Sequence, residues 1–361
     1  MQNRIQVLQR RFKSIGISNV LISRLSNTRW LCGYTGSNGI MLVTGRDAYF
    51  ITDGRYTTQA REQVKDAHVY IYTPFKSMAE SFIHELKINK EISFRGRVGI
   101  EALWMNVHFA EIFKSEFPKS DLISTENVVE DLMMIKDESE INSIRKAVEI
   151  SDRVFAEVIP LLKPGITEND ISAEITYLHK KYGAQKDAFE TIIASGNRSA
   201  FPHGIASSKK IEKGDIITFD MGCFVDGYPS DMTRTVVLGK ATTKQREIYA
   251  IIKEAQAKAV EAIKPGVRCF EVDAVARKII SDTGYGDKFT HGLGHGLGVE
   301  VHSKPVLSGM SQTVLKAGMV VTVEPGIYIE GWGGVRIEDD VVVTKDGCEV
   351  LNKSPKDLIE L

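Results

Sequence analysis

The sequence predicts an α+β chain in two parts. A smaller α/β region over residues 1–125 leads through a linker at 126–136 into a larger region at 137–361, built from two similar halves. Each half pairs two helices with an antiparallel sheet. Three observations carry this reading. Short apolar runs alternate with helical patterns in the first 125 residues, the rest of the chain contains a repeat, and two hairpin signals fall at matching points of that repeat.

In the N-terminal region, residues 1–20 (MQNRIQVLQRRFKSIGISNV) scatter Arg and Lys without a continuous apolar stretch. They read as an amphipathic helix entering a strand and not as a signal peptide. Strands are expected at 19–23, 39–43, 48–52 and 68–72, and helices at 54–66, 77–87 and 104–116. Residues 122–137 read as a connection.

The repeat begins with the helical pattern ESEINSIRKAVEISDRVFAEVIPLLKPG (138–165), answered by TKQREIYAIIKEAQAKAVEAIKPG (243–266). Both end on Lys-Pro-Gly, a helix stop. A second helix pattern follows each, at 168–182 and 270–282, and then GDIITFDMG (214–222) finds its counterpart in GMVVTVEPG (318–326). Asp220 and Glu324 thereby occupy corresponding places. Unrelated segments that happen to share Lys-Pro-Gly are the alternative, and the near-constant offset of several landmarks argues against it.

Asp226-Gly227 is a favoured two-residue hairpin turn between strands 214–224 and 228–238. That turn sets Asp220 opposite Thr233 and diagonal to Asp231, and period-two geometry puts both Asp side chains on one face. The second half repeats the arrangement. Strand 318–329, a glycine-rich turn at 331–334 and strand 335–344 place Glu324 nearly opposite Glu338, with Arg336 on the Glu338 face. Pro325 cannot donate to a ladder, so a bulge or sheet edge is expected there. Surface or salt-bridged acids are the ordinary reading of any one carboxylate. Four of them inside apolar strands demand a cation.

Residues 290–302, THGLGHGLGVEVH, add His291, His295 and His302 among four glycines. Such glycine density suits neither a helix interior nor a packed strand, and lets backbone pass close to a ligand. The segment lacks the Lys of a phosphate-binding loop. One imidazole with four carboxylates makes a mixed N/O donor set suited to manganese, cobalt or zinc, and two ions about 3.5–4 Å apart would use this many ligands. A further histidine, His203, sits in the turn FPHG (201–204), where an ordinary surface residue is the competing reading.

Composition narrows the function. With 46 Lys+Arg against 47 Asp+Glu the net charge is −1, which disfavours binding to nucleic acid by phosphate neutralisation. Hydrophobic residues at 43% and charged residues at 26% describe a soluble globular chain. Apolar runs such as Val341 to Val343 fall far short of the ~20 residues of a membrane span. The 4 cysteines, Cys32, Cys223, Cys269 and Cys348, form no C-x-x-C. This leaves neither a zinc cage nor a disulfide framework, and the expected compartment is the cytoplasm.

The order Asp220, Asp231, His295, Glu324, Glu338, in the strings IITFDMG, DMTRTVVLG, HGLGHGLGVEVH, VTVEPGIY and GVRIEDDVVVT, resembles the five-ligand, two-metal signature of the pita-bread metallopeptidases. That family includes methionine aminopeptidase, Xaa-Pro aminopeptidase and Xaa-Pro dipeptidase. The resemblance covers residues 137 to 345, and WLCGYTGSNG (30–39) with ITDGRY (51–56) looks like the creatinase-type N-terminal domain of the proline-directed branch. His291 and Arg336 also favour that branch. The resemblance implies a pita-bread fold for 137–361 and two divalent metals, manganese first, with cobalt or zinc as alternatives. It further implies Asp220, Asp231, His295, Glu324 and Glu338 as ligands. His203 would lie near the scissile peptide or leaving proline, His291 or His302 would stabilise the oxyanion, and Arg336 would hold the site acids and polarise His302. The implied activity is that of an Xaa-Pro aminopeptidase acting on proline-containing peptides as a homodimer, with an Xaa-Pro dipeptidase as the alternative. A non-catalytic protein of the same fold would be expected to lose ligands, and a phosphoesterase would need a basic cluster.

Overall fold

A computed structural model describes residues 3–74, 76–92 and 94–361, so Met1 and Gln2 of the expected N-terminal helix lie outside the described residues. The chain forms two compact units, Met1–Met133 and Met134–Leu361.

The first unit opens with helix α1 (Arg4–Ile15), which the Asn3 side chain caps and which buries Ile5, Leu8 and Phe12. One sheet follows, of strands β1 (Asn19–Ile22), β2 (Ile40–Thr44), β3 (Ala48–Asp53), β4 (His68–Tyr72), β5 (Arg97–Glu101) and β6 (Asp121–Thr125), in the order β4-β3-β2-β1-β5-β6. The pairs β1/β5, β5/β6 and β3/β4 are parallel, while β1/β2 and β2/β3 are antiparallel. Helices α2 (Leu25–Cys32), α3 (Thr57–Gln63), α4 (Met78–Ile88), α5 (Val107–Glu116) and α6 (Glu130–Met133) connect or cover these strands. The expected strands are β1 to β4. Strands β5 and β6 and helix α2 were not anticipated. β5 reads RVGIE, interrupted by glycine, and β6 is an edge strand whose exposure follows no alternation. Part of the expected connection at 122–137 is therefore strand.

The second unit realises the repeat. Its first half contains α7 (Glu138–Val158) and α8 (Glu168–Lys181), then β7 (Lys186–Asp187), β8 (Ile192–Ser195), β9 (Ile216–Met221), β10 (Cys223–Val225), β11 (Tyr228–Pro229) and β12 (Met232–Val237). The second half contains α9 (Thr243–Ala262) and α10 (Cys269–Asp282). Its strands are β13 (Gly294–Gly296), β14 (Ser303–Leu307), β15 (Val320–Val323), β16 (Gly326–Ile329), β17 (Gly333–Arg336), β18 (Asp339–Val343) and β19 (Cys348–Val350). The final strand β20 (Ile359–Glu360) returns to pair with β12 of the first half.

Capping explains where the helices begin. Asp137, Thr167 and Thr242 each accept an N–H three residues on, and Glu140, Asp170 and Gln245 reach back to close the box. Each half then packs its helix pair on its sheet. Val154, Ile171, Ile175, Phe219 and Val236 bury together in the first half, and Ile248, Ile252, Val272, Ile280, Val321 and Val341 in the second. Every such aliphatic or aromatic side chain contributes about 1.5–3 kcal/mol.

The halves are joined by a buried guanidinium. Arg234, 1% exposed, donates to the carbonyls of Glu338, Ser354 and Pro355 and to Asp339 Oδ1 at 2.6, 2.8, 3.1 and 2.7 Å. Asp339 in turn accepts from Gln256 and Lys356 at 2.8 and 2.6 Å, so the buried guanidinium and carboxylate are both paired and hydrogen-bonded.

Candidate active site

Two hairpins supply most of the site. Asp226 and Gly227 adopt positive φ of 49° and 78°, as a primed turn requires, and the β9/β12 ladder pairs Asp220 with Thr233. Asp220 and Asp231 consequently point to one place. In the second half β15/β18 pairs Val323 with Asp339 and β16/β17 pairs Gly326 with Arg336. Glu324, Pro325, Ile337 and Glu338 fall between these ladders. The interruption expected at Pro325 is thus a complete gap in pairing. The freed Glu324 N–H goes to Leu293 O of the same half at 2.8 Å, while that of Glu338 goes to Thr233 O at 3.1 Å and ties the carboxylate-bearing backbone of one half to the other.

The acids and one histidine converge. Ligand atoms of Asp231, His295 and Glu338 lie within 4.8 Å of one another. His295 Nε2 is 3.5 Å from both Asp231 Oδ2 and Glu324 Oε1. Asp220 gives Oδ2 to Arg336 at 2.6 Å, while its buried Oδ1 has no hydrogen-bond partner. Asp231 is itself held by its N–H to Asp340 Oδ2 at 2.9 Å, and Glu338 by Thr233 Oγ1 at 2.6 Å.

Electrostatics says what this cluster lacks. Burial pushes Asp220 up, against the pull of Arg336. Asp231 rises well above the carboxylate range through burial and then the charges of Glu338 and Asp220, and Glu338 does so through burial and then Glu324. Glu324 reaches about 8 through burial, with Asp220 adding to it. Burial drives His295 down to about 4, which keeps the ring neutral. Its Nδ1 lies 3.1 Å from Gly296 O, so a proton placed there leaves the Nε2 lone pair facing Asp231 and Glu324. Four repelling carboxylates, an orphaned oxygen and a neutral imidazole form a donor set that fits hard or borderline divalent cations.

Of the glycine segment, Gly294–Gly296 is strand, which the glycine density argued against, and the rest is irregular. Gly294 and Gly296 flank His295 in β13, squeezed between β14 and β15. A Cβ at either position would meet Thr322 O or Lys304 O at 2.1 Å. These glycines serve the neighbouring strands, and they leave His295 alone to project from β13.

The remaining expected residues sit around this cluster. His203 is exposed in the segment after β8, close enough for its charge to act on Asp220. His302 is exposed, with its ring centroid 4.3 Å from that of His295. Arg336, 4% exposed, donates to Asp220, Tyr328 Oη, Thr233 Oγ1 and Pro202 O at 2.6, 2.8, 3.0 and 3.1 Å. Among these partners His302 does not appear, so the expected polarisation of His302 by Arg336 is replaced by a contact to Tyr328. Tyr328 Oη lies 2.9 Å from His291 Nε2, and His291 Nδ1 lies 2.8 Å from Gly292 O. Both ring nitrogens of His291 are thereby engaged, and burial holds it down at about 4. Tyr328 was not anticipated, although period two from Glu324 through Gly326 marks it as sharing a face.

Comparison with known proteins follows from this geometry. The profile described as metallopeptidase family M24 matches residues 142–345, and that described as the creatinase/prolidase N-terminal domain matches residues 4–135. The chain is 41% identical over 360 residues to an Xaa-Pro dipeptidase of Pyrococcus furiosus, covering 99% of this chain and 100% of that one. Its fold is similar to the solved Xaa-Pro dipeptidase from Bacillus anthracis, with TM-score 0.94, 40% identity and 99% of each chain covered. It is also similar to an X-Pro aminopeptidase from Thermotoga maritima, with TM-score 0.87, 36% identity and 98% and 100% covered. No described helix is long and apolar enough to cross a membrane.

Proposed function

Because the chain belongs to metallopeptidase family M24 and carries a creatinase/prolidase N-terminal domain, we propose that it is a two-metal Xaa-Pro dipeptidase. The sequence alone favours the aminopeptidase, and full-length likeness to Xaa-Pro dipeptidases supports the dipeptidase in its place. The observation that carries the hydrolytic reading is the meeting of Asp231, His295 and Glu338, from both halves, within 4.8 Å.

Asp220, Asp231, His295, Glu324 and Glu338 would hold two divalent cations, manganese first. The chemistry such a pair supplies when bound is Lewis acidity, which lowers the pKa of a water towards neutrality. Glu324, next to His295 and half-buried, would be the carboxylate placed to accept a proton. His302 is the imidazole free to donate to the tetrahedral oxyanion, since both His291 nitrogens are occupied. A positioned donor of this kind contributes about 2.7–4 kcal/mol to lowering the barrier. His203, on its exposed turn, faces the scissile peptide or the leaving proline. Arg336 and Tyr328 hold Asp220 and His291 in place. An Xaa-Pro bond has a tertiary amide nitrogen without N–H, so a pocket shaped for the pyrrolidine ring accepts what ordinary peptidases cannot use.

Likeness to the T. maritima protein supports a second reading, an X-Pro aminopeptidase. Incubating manganese-loaded protein with Ala-Pro and with Ala-Pro-Ala-Ala separates the two. The dipeptidase reading expects hydrolysis of Ala-Pro alone, and release of alanine from the tetrapeptide at a comparable rate overturns it.

A further inference from the structure

Glu168 is a fully buried carboxylate outside the metal cluster, at the first position of α8. Its Oε1 accepts from the N–H and hydroxyl of Ser195, both at 2.8 Å. Its Oε2 accepts from the N–H and hydroxyl of Ser207 at 3.1 and 2.6 Å, and it pairs with Arg198. Arg198 crosses the same segment, donating its second nitrogen to Ile205 O at 2.7 Å. A side chain that merely anchored its helix would bond to neighbouring helices. Here all these donors lie at the two ends of residues 196–207 or within them.

That segment carries His203. Between its clamped ends it touches the site twice: Pro202 O accepts from Arg336 at 3.1 Å, and Ser199 Oγ accepts the Gly334 N–H at 2.9 Å. Residue 203 itself is exposed, so nothing packed around the imidazole fixes it. Its place is inherited from the segment, which is held at its ends by Glu168 and at Pro202 by Arg336. A buried carboxylate bonded to both ends makes their separation costly to change, because each donor pulled away leaves a lone pair unpaired in the interior.

We propose that Glu168 is a positioning residue, a clamp that fixes both ends of segment 196–207 and so presents His203 to the substrate. The proposal rests on the hydrolytic reading of His203 given above. Glu168 touches neither metal ligands nor substrate.

The test combines Glu168→Gln, which keeps size but turns an amide towards N–H donors, with the milder Ser207→Ala. Each is made alone and with His203→Ala, and manganese content, kcat and KM on Ala-Pro, and hydrogen exchange of residues 196–207 are measured. Glu168→Gln is expected to lower kcat about tenfold with manganese content and KM unchanged, and to raise exchange across the segment about tenfold. In the His203→Ala background the same change costs less than about twofold, since its target is already gone. Ser207→Ala shows a smaller effect of the same kind. An equal loss in both backgrounds, a loss of manganese, or unaltered exchange overturns the clamp. Should the parent protein cleave no Xaa-Pro peptide, the functional reading fails instead, and exchange alone decides whether the clamp exists.

Discussion

The two halves of the second unit share one plan and use it differently. In the first, Asp220 sits inside the β9/β12 ladder opposite Thr233, whereas Asp231 lies just before β12, and its N–H reaches Asp340 of the other half. In the second, pairing lapses from Glu324 to Pro325 and from Ile337 to Glu338, and the freed N–H groups reach Leu293 and Thr233. Asp220 stands on a paired strand, while Asp231, Glu324 and Glu338 stand where their ladders have lapsed. A duplicated scaffold thus gives one acid on a rigid ladder and three in gaps, two of which send their N–H groups across to the other half.

The sharpest way to break this comparison is to remove an acid from one of the gaps. Asp231→Ala is expected to abolish peptide hydrolysis, a loss of more than about 10³-fold, and to lower metal content by elemental analysis. A variant that still binds two metals per chain would deny Asp231 its place. Next in size is His203→Ala, which should cost about 10²-fold in kcat while metal stays bound. An emptied site would instead make His203 a ligand. In the second half, Tyr328→Phe deletes the hydroxyl between Arg336 and His291 and should slow turnover about tenfold with metal retained. Unchanged rates would reduce Tyr328 to packing.

The smallest expected effect is one of pH, in protein stripped of metal. Burial lifts Glu324 to about 8, so the folded state keeps a proton that the unfolded chain releases near 4.5. That contribution is fully present below 4.5 and is lost as pH rises through about 8. His291 has the opposite sign. Held at about 4 against an ordinary 6.5, it contributes above 6.5 and loses that contribution as pH falls towards 4. Melting temperatures of metal-free protein should therefore fall between neutral and mildly alkaline pH. Added manganese, by matching the ionised carboxylates, should remove the fall. An alkaline rise without metal would count against the cluster as drawn.

Much of this was legible because hairpins are local. Asp226-Gly227 sets the register that brings Asp220 to Thr233, and the pairing of Gly326 with Arg336 follows the turn at 331–334. The same logic marks the four proposed carboxylate ligands, while His295 stands out by its place in the His-Gly segment 290–302. What escaped depends on distance along the chain. Glu168 looks like any acid in a first helical turn, and nothing local says that Ser195 and Ser207 will fold onto it. Edge strand β6 shows no alternation of burial, so period two carries no signal there. The glycines around His295 were misread for a related reason. Their purpose lies in strands β14 and β15, which approach from either side and leave no space for a side chain.

Arg234 has one further consequence. It is a first-half residue, yet Glu338, Asp339, Ser354 and Pro355, which accept its hydrogen bonds, lie beyond the first half, and its own half offers it the Thr233 carbonyl. Severed from its twin, a lone lobe would keep a guanidinium stripped of most of its acceptors, so neither lobe is a free-standing piece that the other merely decorates.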